Sequence, residues 1–312
     1  MIIVITGLLV RALVVLFGAA IATFTLLWFS PGDPALAIAM ARYDSIVSQD
    51  VVDIVRADAG LDAGFWAAFN DWLAPLAVGD FGYSSVTKRA VLPDLLTAAS
   101  YTFPLALAGL AIGLLISVPL AIVAAHKPGG LLDRLAVAIA SLGAAIPAYW
   151  LGLLLVLLFA VKLSWLPAMG ARTPLHMLLP ALTLGLGVAA ALTRIIRSGI
   201  LDAREQPFLP AIKRRGVSER RVGRDHVSVH AAIPVVTVLG LELAFLLEGA
   251  VIVEVIFSRP GLGTFLVNAI EARDFPKVQA VVLLTAVLFV AINLAIDLIY
   301  RIIDPRIGEQ HA

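Results

Sequence analysis

The chain has 312 residues, 61% of them hydrophobic and 14% charged, with a formal net charge of +1 and a mean hydropathy of +0.98. Too few polar side chains are present to wet the surface of a soluble protein of this size, so the composition describes an integral membrane protein. With no cysteine, and with five histidines of which none stands in an HExxH arrangement, no disulfide, thiolate metal site or zinc-hydrolase centre is expected, and no metal is assigned to the chain.

The first apolar run, Ile2 to Phe29, is longer than the about 7–15 residues of a signal-peptide core. It ends in Trp28-Phe29-Ser30-Pro31-Gly32-Asp33-Pro34, where no small-residue cleavage site stands. It is expected to be retained as a first span. A hydrocarbon core about 30 Å thick needs about 20 apolar residues per helix, and that rule predicts six spans, roughly 6–29, 100–125, 135–161, 177–199, 232–257 and 278–300. Runs this long, without two-residue alternation, must be helical, because backbone in lipid has to satisfy its own hydrogen bonds. The expected fold class is an all-α integral membrane protein with six transmembrane helices.

Between the first two spans, residues 31–93 carry eight acids (Asp33, Asp44, Asp50, Asp53, Asp58, Asp62, Asp71, Asp80) against four bases (Arg42, Arg56, Lys88, Arg89). Ile46, Val47, Val51, Val52, Ile54 and Val55, then Phe65, Trp66, Phe69 and Trp72, recur at near-helical spacing and predict short amphipathic helices in an extracytoplasmic cap. The remaining organisation follows: a first span in 1–30, the cap in 31–93, a core with five spans in 94–305 containing a cytoplasmic loop at 200–230, and a tail at 306–312. Pro104, Pro119, Pro147, Pro180 and Pro234 stand in or at the ends of spans, where each removes a helix hydrogen bond and can kink the helix. Gly109, Gly113, Gly143, Gly152, Gly185 and Gly187 permit close helix packing.

Charge is concentrated between Arg194 and Asp225, where nine bases (Arg194, Arg197, Arg204, Lys213, Arg214, Arg215, Arg220, Arg221, Arg224) meet four acids (Asp202, Glu205, Glu219, Asp225). This loop and the turn His126 to Arg134 alternate with loops poorer in Lys and Arg. The positive-inside rule therefore puts both, with both termini, in the cytoplasm. Within the loop, Pro210, Ala211, Ile212, Lys213, Arg214 and Arg215 followed by Gly216 have the form of a short helix opened by proline and stopped by a glycine in the left-handed conformation. A rigid element of this kind would let a soluble motor move membrane helices; on charge alone, a loop resting on anionic lipid headgroups is the favoured reading.

The fifth span holds Glu242, Glu248 and Glu254, and the sixth holds Asp297. A carboxylate deep in a membrane costs about 2.5–3.5 kcal/mol on insertion scales and normally faces a wet cavity, a partner or a pathway. At about 100° per residue, six residues turn a helix by about 240°, so the three glutamates point in three directions. Glu248 is the leading candidate for lining a pathway, where it would favour cationic or amine-bearing solutes. Glu242 is the second candidate, with a gate or interface role as the alternative. Glu254 is expected to be structural, and Asp297 stands four residues before Arg301, the spacing of a helix ion pair.

Several motifs in order then acquire a joint meaning. Gly216-Val217-Ser218, Arg224-Asp225-His226, Ala231 to Thr237 with Pro234, Gly249 to Phe257 and Pro260-Gly261-Leu262-Gly263 resemble the permease subunits of ABC importers. More narrowly they resemble the B-type permease of the dipeptide, oligopeptide and nickel group. Pro31-Gly32-Asp33-Pro34, Gly79-Asp80-Phe81-Gly82 with Val91-Leu92, and Asp297 to Tyr300 with Asp304-Pro305-Arg306 extend the resemblance over nearly the whole chain. Gly216 and Pro234 keep the family's spacing between the coupling glycine and a later proline, whereas Pro207 and Pro210-Ala211-Ile212 stand where an acidic residue and paired alanines are usual.

The resemblance implies an ATPase-coupling role for residues 210–216 and a bacterial inner-membrane location. It also implies a second, C-type permease subunit, two ATPase subunits and an extracytoplasmic solute-binding protein as partners, alongside the lipid bilayer. Peptides, nickel chelates, opines and short glycans are the solutes of such systems. The chain has no GxxxxGK[ST] loop, so no cofactor is expected on it, and ATP and Mg would be bound by the partner ATPases. No catalytic residue and no nucleic-acid partner is expected. Two other classes stand against this reading. A six-helix secondary transporter or channel driven by an ion gradient would show an internal repeat with paired broken helices, and an intramembrane protease would need paired catalytic groups at membrane depth; the sequence carries neither.

Overall fold

The computed structural model describes residues 2–43 and 46–303. Among them the chain is helical apart from turns and one isolated antiparallel bridge, Tyr83–Ala90. The helices are α1 (Ile2–Trp28), α2 (Pro34–Tyr43), α3 (Gln49–Asp58), α4 (Phe65–Leu76), α5 (Val91–His126), α6 (Leu131–Ala145), α7 (Ala148–Leu155), α8 (Leu178–Arg204), α9 (Leu209–Arg214), α10 (Glu219–Val222), α11 (Ser228–Ile256), α12 (Leu262–Glu271) and α13 (Phe275–Ile303). Five apolar helical stretches are long enough to cross a membrane: Val10–Trp28, Val91–His126, Pro174–Arg204, Glu219–Ile256 and Phe275–Ile299.

The predicted third span, 135–161, is not one helix. It breaks between α6 and α7 with a bend of 100°. Pro147, which can give no amide hydrogen to the turn before it, caps α7 from an extended backbone (φ −60°, ψ 137°). Of the five prolines noted in the spans, it alone marks a break. Pro104, Pro119 and Pro234 lie inside continuous helices, and Pro180 sits in the first turn of α8, where its missing N–H has no partner to lose. A π-helical turn, Val156–Lys162, continues α7.

By contact the chain divides into two units, residues 1–102 with 260–291 and residues 103–259 with 292–312. In the second unit α8 is the central helix, with Leu179, Leu184, Val188, Leu192 and Ile196 buried in a core shared with Leu105, Leu246, Val253 and Phe257. Small residues bring the backbones close. A Cβ at Gly185 would lie 2.8 Å from the Gly109 carbonyl oxygen and 2.7 Å from Ile112 Cγ2, and one at Gly113 would lie 2.6 Å from Val188 Cγ1.

Two contacts put the ends of these helices on one level. Arg197, near the C-terminus of α8, holds Asp133 at the N-terminus of α6, and Arg204 donates to the Ala125 carbonyl at the C-terminus of α5. Because α6 starts from that level and α8 runs back to end on it, the bent pair α6–α7 must carry the chain across in the direction opposite to α8. Five long stretches plus this broken crossing give the six expected spans.

The first unit contains the cap. Its helices are short, as predicted, with α2, which the periodicity did not indicate, added before them. Ala35, Ile38, Ala39, Val52 and Val55 close a small apolar core between α2 and α3. Phe24 of α1 stacks between Trp28 and Trp72 (centroids 5.7 and 5.5 Å) and meets Phe69 of α4 edge-on. The turn at Ser84-Ser85 is gripped from two sides. Asp274, 2% exposed, accepts from Ser84 Oγ at 2.5 Å and Ser85 N at 3.0 Å, while Arg42 Nε donates to the Ser85 carbonyl at 3.2 Å. Leu262 N donates to Thr102 Oγ1 at 2.8 Å, fixing the start of α12.

Candidate coupling site and transmembrane carboxylates

The loop after α8 folds as its composition suggests. After Phe208 the chain makes six residues of helix, α9, with Pro210 second in it, where the absent N–H belongs to the unpaired first turn. Ile212 N donates to the Phe208 carbonyl at 3.2 Å and Arg215 N to that of Ile212 at 3.1 Å. Gly216 then turns the chain with φ +80°, as expected for a glycine stop. A Cβ there would meet nothing within 4 Å, so the position is set by backbone conformation and not by crowding.

The helix is two-faced. Leu209 is buried, and Ile212 is packed with Phe208 and Val217 against Ala203 at the end of α8, Val222 and Val227 in the following turns, and Ala231 at the start of α11. Pro210, Ala211, Arg214, Arg215 and Gly216 are exposed; the side chain of Lys213 is outside the described residues. The seat under α9 is therefore built from the ends of α8 and α11, which also touch directly, since a Cβ at Gly199 would lie 3.1 Å from the Ala231 carbonyl oxygen. A rigid push on the outer face of α9 would reach both helices.

Eight of the nine bases of the segment, all but Lys213, separate into two groups. Arg197 and Arg204 turn inward to α6 and α5, and Arg224 pairs with its neighbour Asp225 at 2.7 Å, so these are structural as much as topological. Arg194, Arg214, Arg215, Arg220 and Arg221 are exposed. His226 and His230, one turn apart, flank Phe208 with ring centroids 6.4 and 4.9 Å away. The four-residue separation is that of a metal-binding pair, but no third histidine or acid joins them among the described residues.

The three glutamates of α11 do occupy different faces. Glu248 is exposed and lies on a stripe with Leu241, Phe245, Ile252 and Val255, all exposed in this chain. Glu242 is half-buried and shares the face of Ala231, Leu246 and Gly249, which packs on α8. Neither makes a hydrogen bond or ion pair with a described residue. Glu254 is fully buried. Asp297 is half-buried; its expected partner Arg301 has its side chain outside the described residues, and so do Asp304, Pro305 and Arg306 entirely.

No local pattern announces the inward roles of Asp133 and Asp274. Their partners are 64 and 190 residues away, beyond any local pattern. The break at Pro147 had a signal, an X-Pro step in the middle of a span, that periodicity alone could not weigh against four other prolines.

Residues 117–309 match the family described as binding-protein-dependent transport system inner membrane component. The chain is 39% identical over 277 residues to the glutathione transport system permease protein GsiC of Pectobacterium atrosepticum, covering 89% of each. It is 37% identical over 292 residues to GsiC of Escherichia coli K12, covering 94% of each. Among solved structures, an inward-facing conformation of the MetNI methionine ABC transporter shares the fold at a TM-score of 0.57 and 18% identity, over 68% of this chain and 97% of that one. An amino acid ABC transporter with histidines does so at 0.54 and 17%, over 74% and 98%.

Proposed function

The chain belongs to the binding-protein-dependent transport system inner membrane component family, and from that premise we propose that α9 and the turn at Gly216 receive the stroke of partner ATPases and pass it to α8 and α11. The chain is a multi-pass inner-membrane permease subunit of an ABC importer. As such it works with ATPase subunits and a solute-binding protein. In our reading two ATPases bind ATP and Mg below it, this chain hydrolyses none, and a second, C-type permease completes the pathway. Both termini and the loop carrying α9 are cytoplasmic. The observation that carries the coupling role is the two-faced α9: its apolar side rests on the ends of two transmembrane helices and its other side is open.

The passenger we propose is a short peptide with a free amine. Support comes from the glutathione permeases among the relatives and from Glu248, a carboxylate with no ion pair among the described residues, on an otherwise apolar, exposed stripe of α11 that lipid would penalise. The residues of the pathway would then include Glu248 and, on the α8 side, Glu242.

Reconstitution tests both parts. The purified chain alone is expected to turn over no ATP, and turnover should appear when the ATPases are added. A cysteine placed at Ala211 should crosslink to an ATPase subunit, and failure to do so in an active assembly overturns the coupling assignment. Glu248→Gln should slow uptake of amine-bearing peptides about tenfold while sparing their N-acetylated forms; equal uptake of both by wild type and variant would remove Glu248 from the pathway.

A further inference from the structure

The first unit contains two adjoining cavities, of about 250 and 260 Å³, that no part of the transport reading uses. Phe24, Trp28, Leu61, Phe275 and Gln279 line both, Arg56 lines only the first, and Asp71 lines only the second. The space therefore has a shared aromatic middle, one basic end and one acidic end. Its walls are set in advance, because Phe24 is already stacked between Trp28 and Trp72.

Gln279 points to a ligand. It is 5% exposed, yet its amide makes no hydrogen bond with any described residue. An unpartnered amide on a cavity wall is normally satisfied by water or by what the cavity holds. The charged ends are also available. Arg56 spends Nη2 on Asp33 at 2.7 Å and keeps its other N–H groups. Asp71 is exposed and has no ion pair with a described residue.

We propose that these cavities bind a zwitterionic short peptide with an aromatic or bulky apolar side chain. Asp71 takes its ammonium, Arg56 its carboxylate, the aromatic middle its side chain, and Gln279, both donor and acceptor, its peptide group. A lipid acyl chain would fill the aromatic middle but leave the Gln279 amide unpaired and give Asp71 nothing to hold. The site shares no residue with α9 or α11.

The test is calorimetric titration of the dipeptide phenylalanyl-alanine into the full-length chain in lipid nanodiscs, without ATPases. One site per chain is expected. N-acetylation of the peptide should weaken binding about tenfold to the wild type and leave it unchanged in Asp71→Asn, which has already lost the ammonium contact. Gln279→Leu should weaken binding about tenfold. No binding by the wild type, or binding indifferent to both Asp71→Asn and Gln279→Leu, overturns the proposal. So does phospholipid retained at the site by the wild type in native mass spectrometry and not displaced by the peptide. Because no ATP turnover or uptake is measured, a negative result leaves the permease assignment standing.

Discussion

Arg197 grips Asp133 with two parallel hydrogen bonds, Nε to Oδ1 at 2.5 Å and Nη2 to Oδ2 at 2.7 Å, while Gly129 N donates to the same carboxylate at 2.8 Å. The pair joins the first turn of α6 to the last two turns of α8, just before the chain leaves for α9. It thereby fixes the level from which the coupling loop departs. Asp133 is 4% exposed, so the two ends of the bond are unequal. Arg197→Ala leaves a buried carboxylate with one backbone donor and should cost about 3–5 kcal/mol. Replacing both residues by Leu and Met of similar volume should recover most of that loss. Thermal unfolding of the nanodisc-held chain measures it, and equal melting of the single and double variants would show that the pair is not coupled.

A second prediction uses two glycines of α8 that differ only in what faces them. A Cβ at Gly185 would meet the Gly109 carbonyl oxygen at 2.8 Å, which is backbone and cannot swing aside, whereas nothing lies within 4 Å of Gly187. Gly185→Ala should therefore push α5 from α8 and destabilise by about 1–3 kcal/mol. Gly187→Ala should be neutral or stabilise slightly, since alanine costs less chain entropy in a helix. Chemical denaturation of the two variants side by side checks the ordering.

These elements mark where the sequence was legible. Long apolar runs declare spans because the bilayer leaves the backbone no alternative to a helix, and Gly216 declares a helix stop because a left-handed turn excludes most other residues. The glutamates of α11 could be assigned to separate faces from helical geometry alone. What the sequence hid depends on distance along the chain: Asp274 reaching Ser84, Arg204 reaching Ala125, and the seat of α9 assembled from α8 and α11. The break at Pro147 lies between these cases. A proline in a span is visible, but whether neighbours hold the helix straight, as they do around Pro104, Pro119 and Pro234, is decided by packing that no local window contains.

Asp58 supplies a pH-dependent prediction for the cap. Hydrogen bonding from Lys88, joined by Arg42 at 3.1 Å, holds its carboxyl below the ordinary carboxylate range. A depressed folded-state value means that the interaction contributes fully above the unfolded value of about 3.9 and is lost as pH falls through the folded one. At neutral pH Asp58→Asn should lower the melting temperature modestly, the group being partly exposed. At pH 3 the gap between variant and wild type should narrow. A gap that stays constant from pH 7 to 3 would mean that the carboxylate charge does not hold Lys88 and Arg42.

Gly216 offers the sharpest separation of folding from coupling. Its φ of +80° costs an L-residue about 1–2 kcal/mol, and because no atom lies within 4 Å of a Cβ there, that backbone term is the whole penalty. Asparagine, which visits the left-handed region readily, should therefore be tolerated. Alanine should be intermediate, and valine, β-branched and stiff, should be worst. The chain has a milder escape than unfolding: a residue that refuses the turn lets α9 run on or fray, tilting its outer face while Leu209 and Ile212 stay seated. The expected signature is an importer that assembles with its ATPases in every variant, with ATP turnover retained and solute uptake falling in the order Gly, Asn, Ala, Val. Uptake that follows side-chain volume without regard to the left-handed preference, with asparagine below alanine, would show that the turn at Gly216 does not transmit the motion.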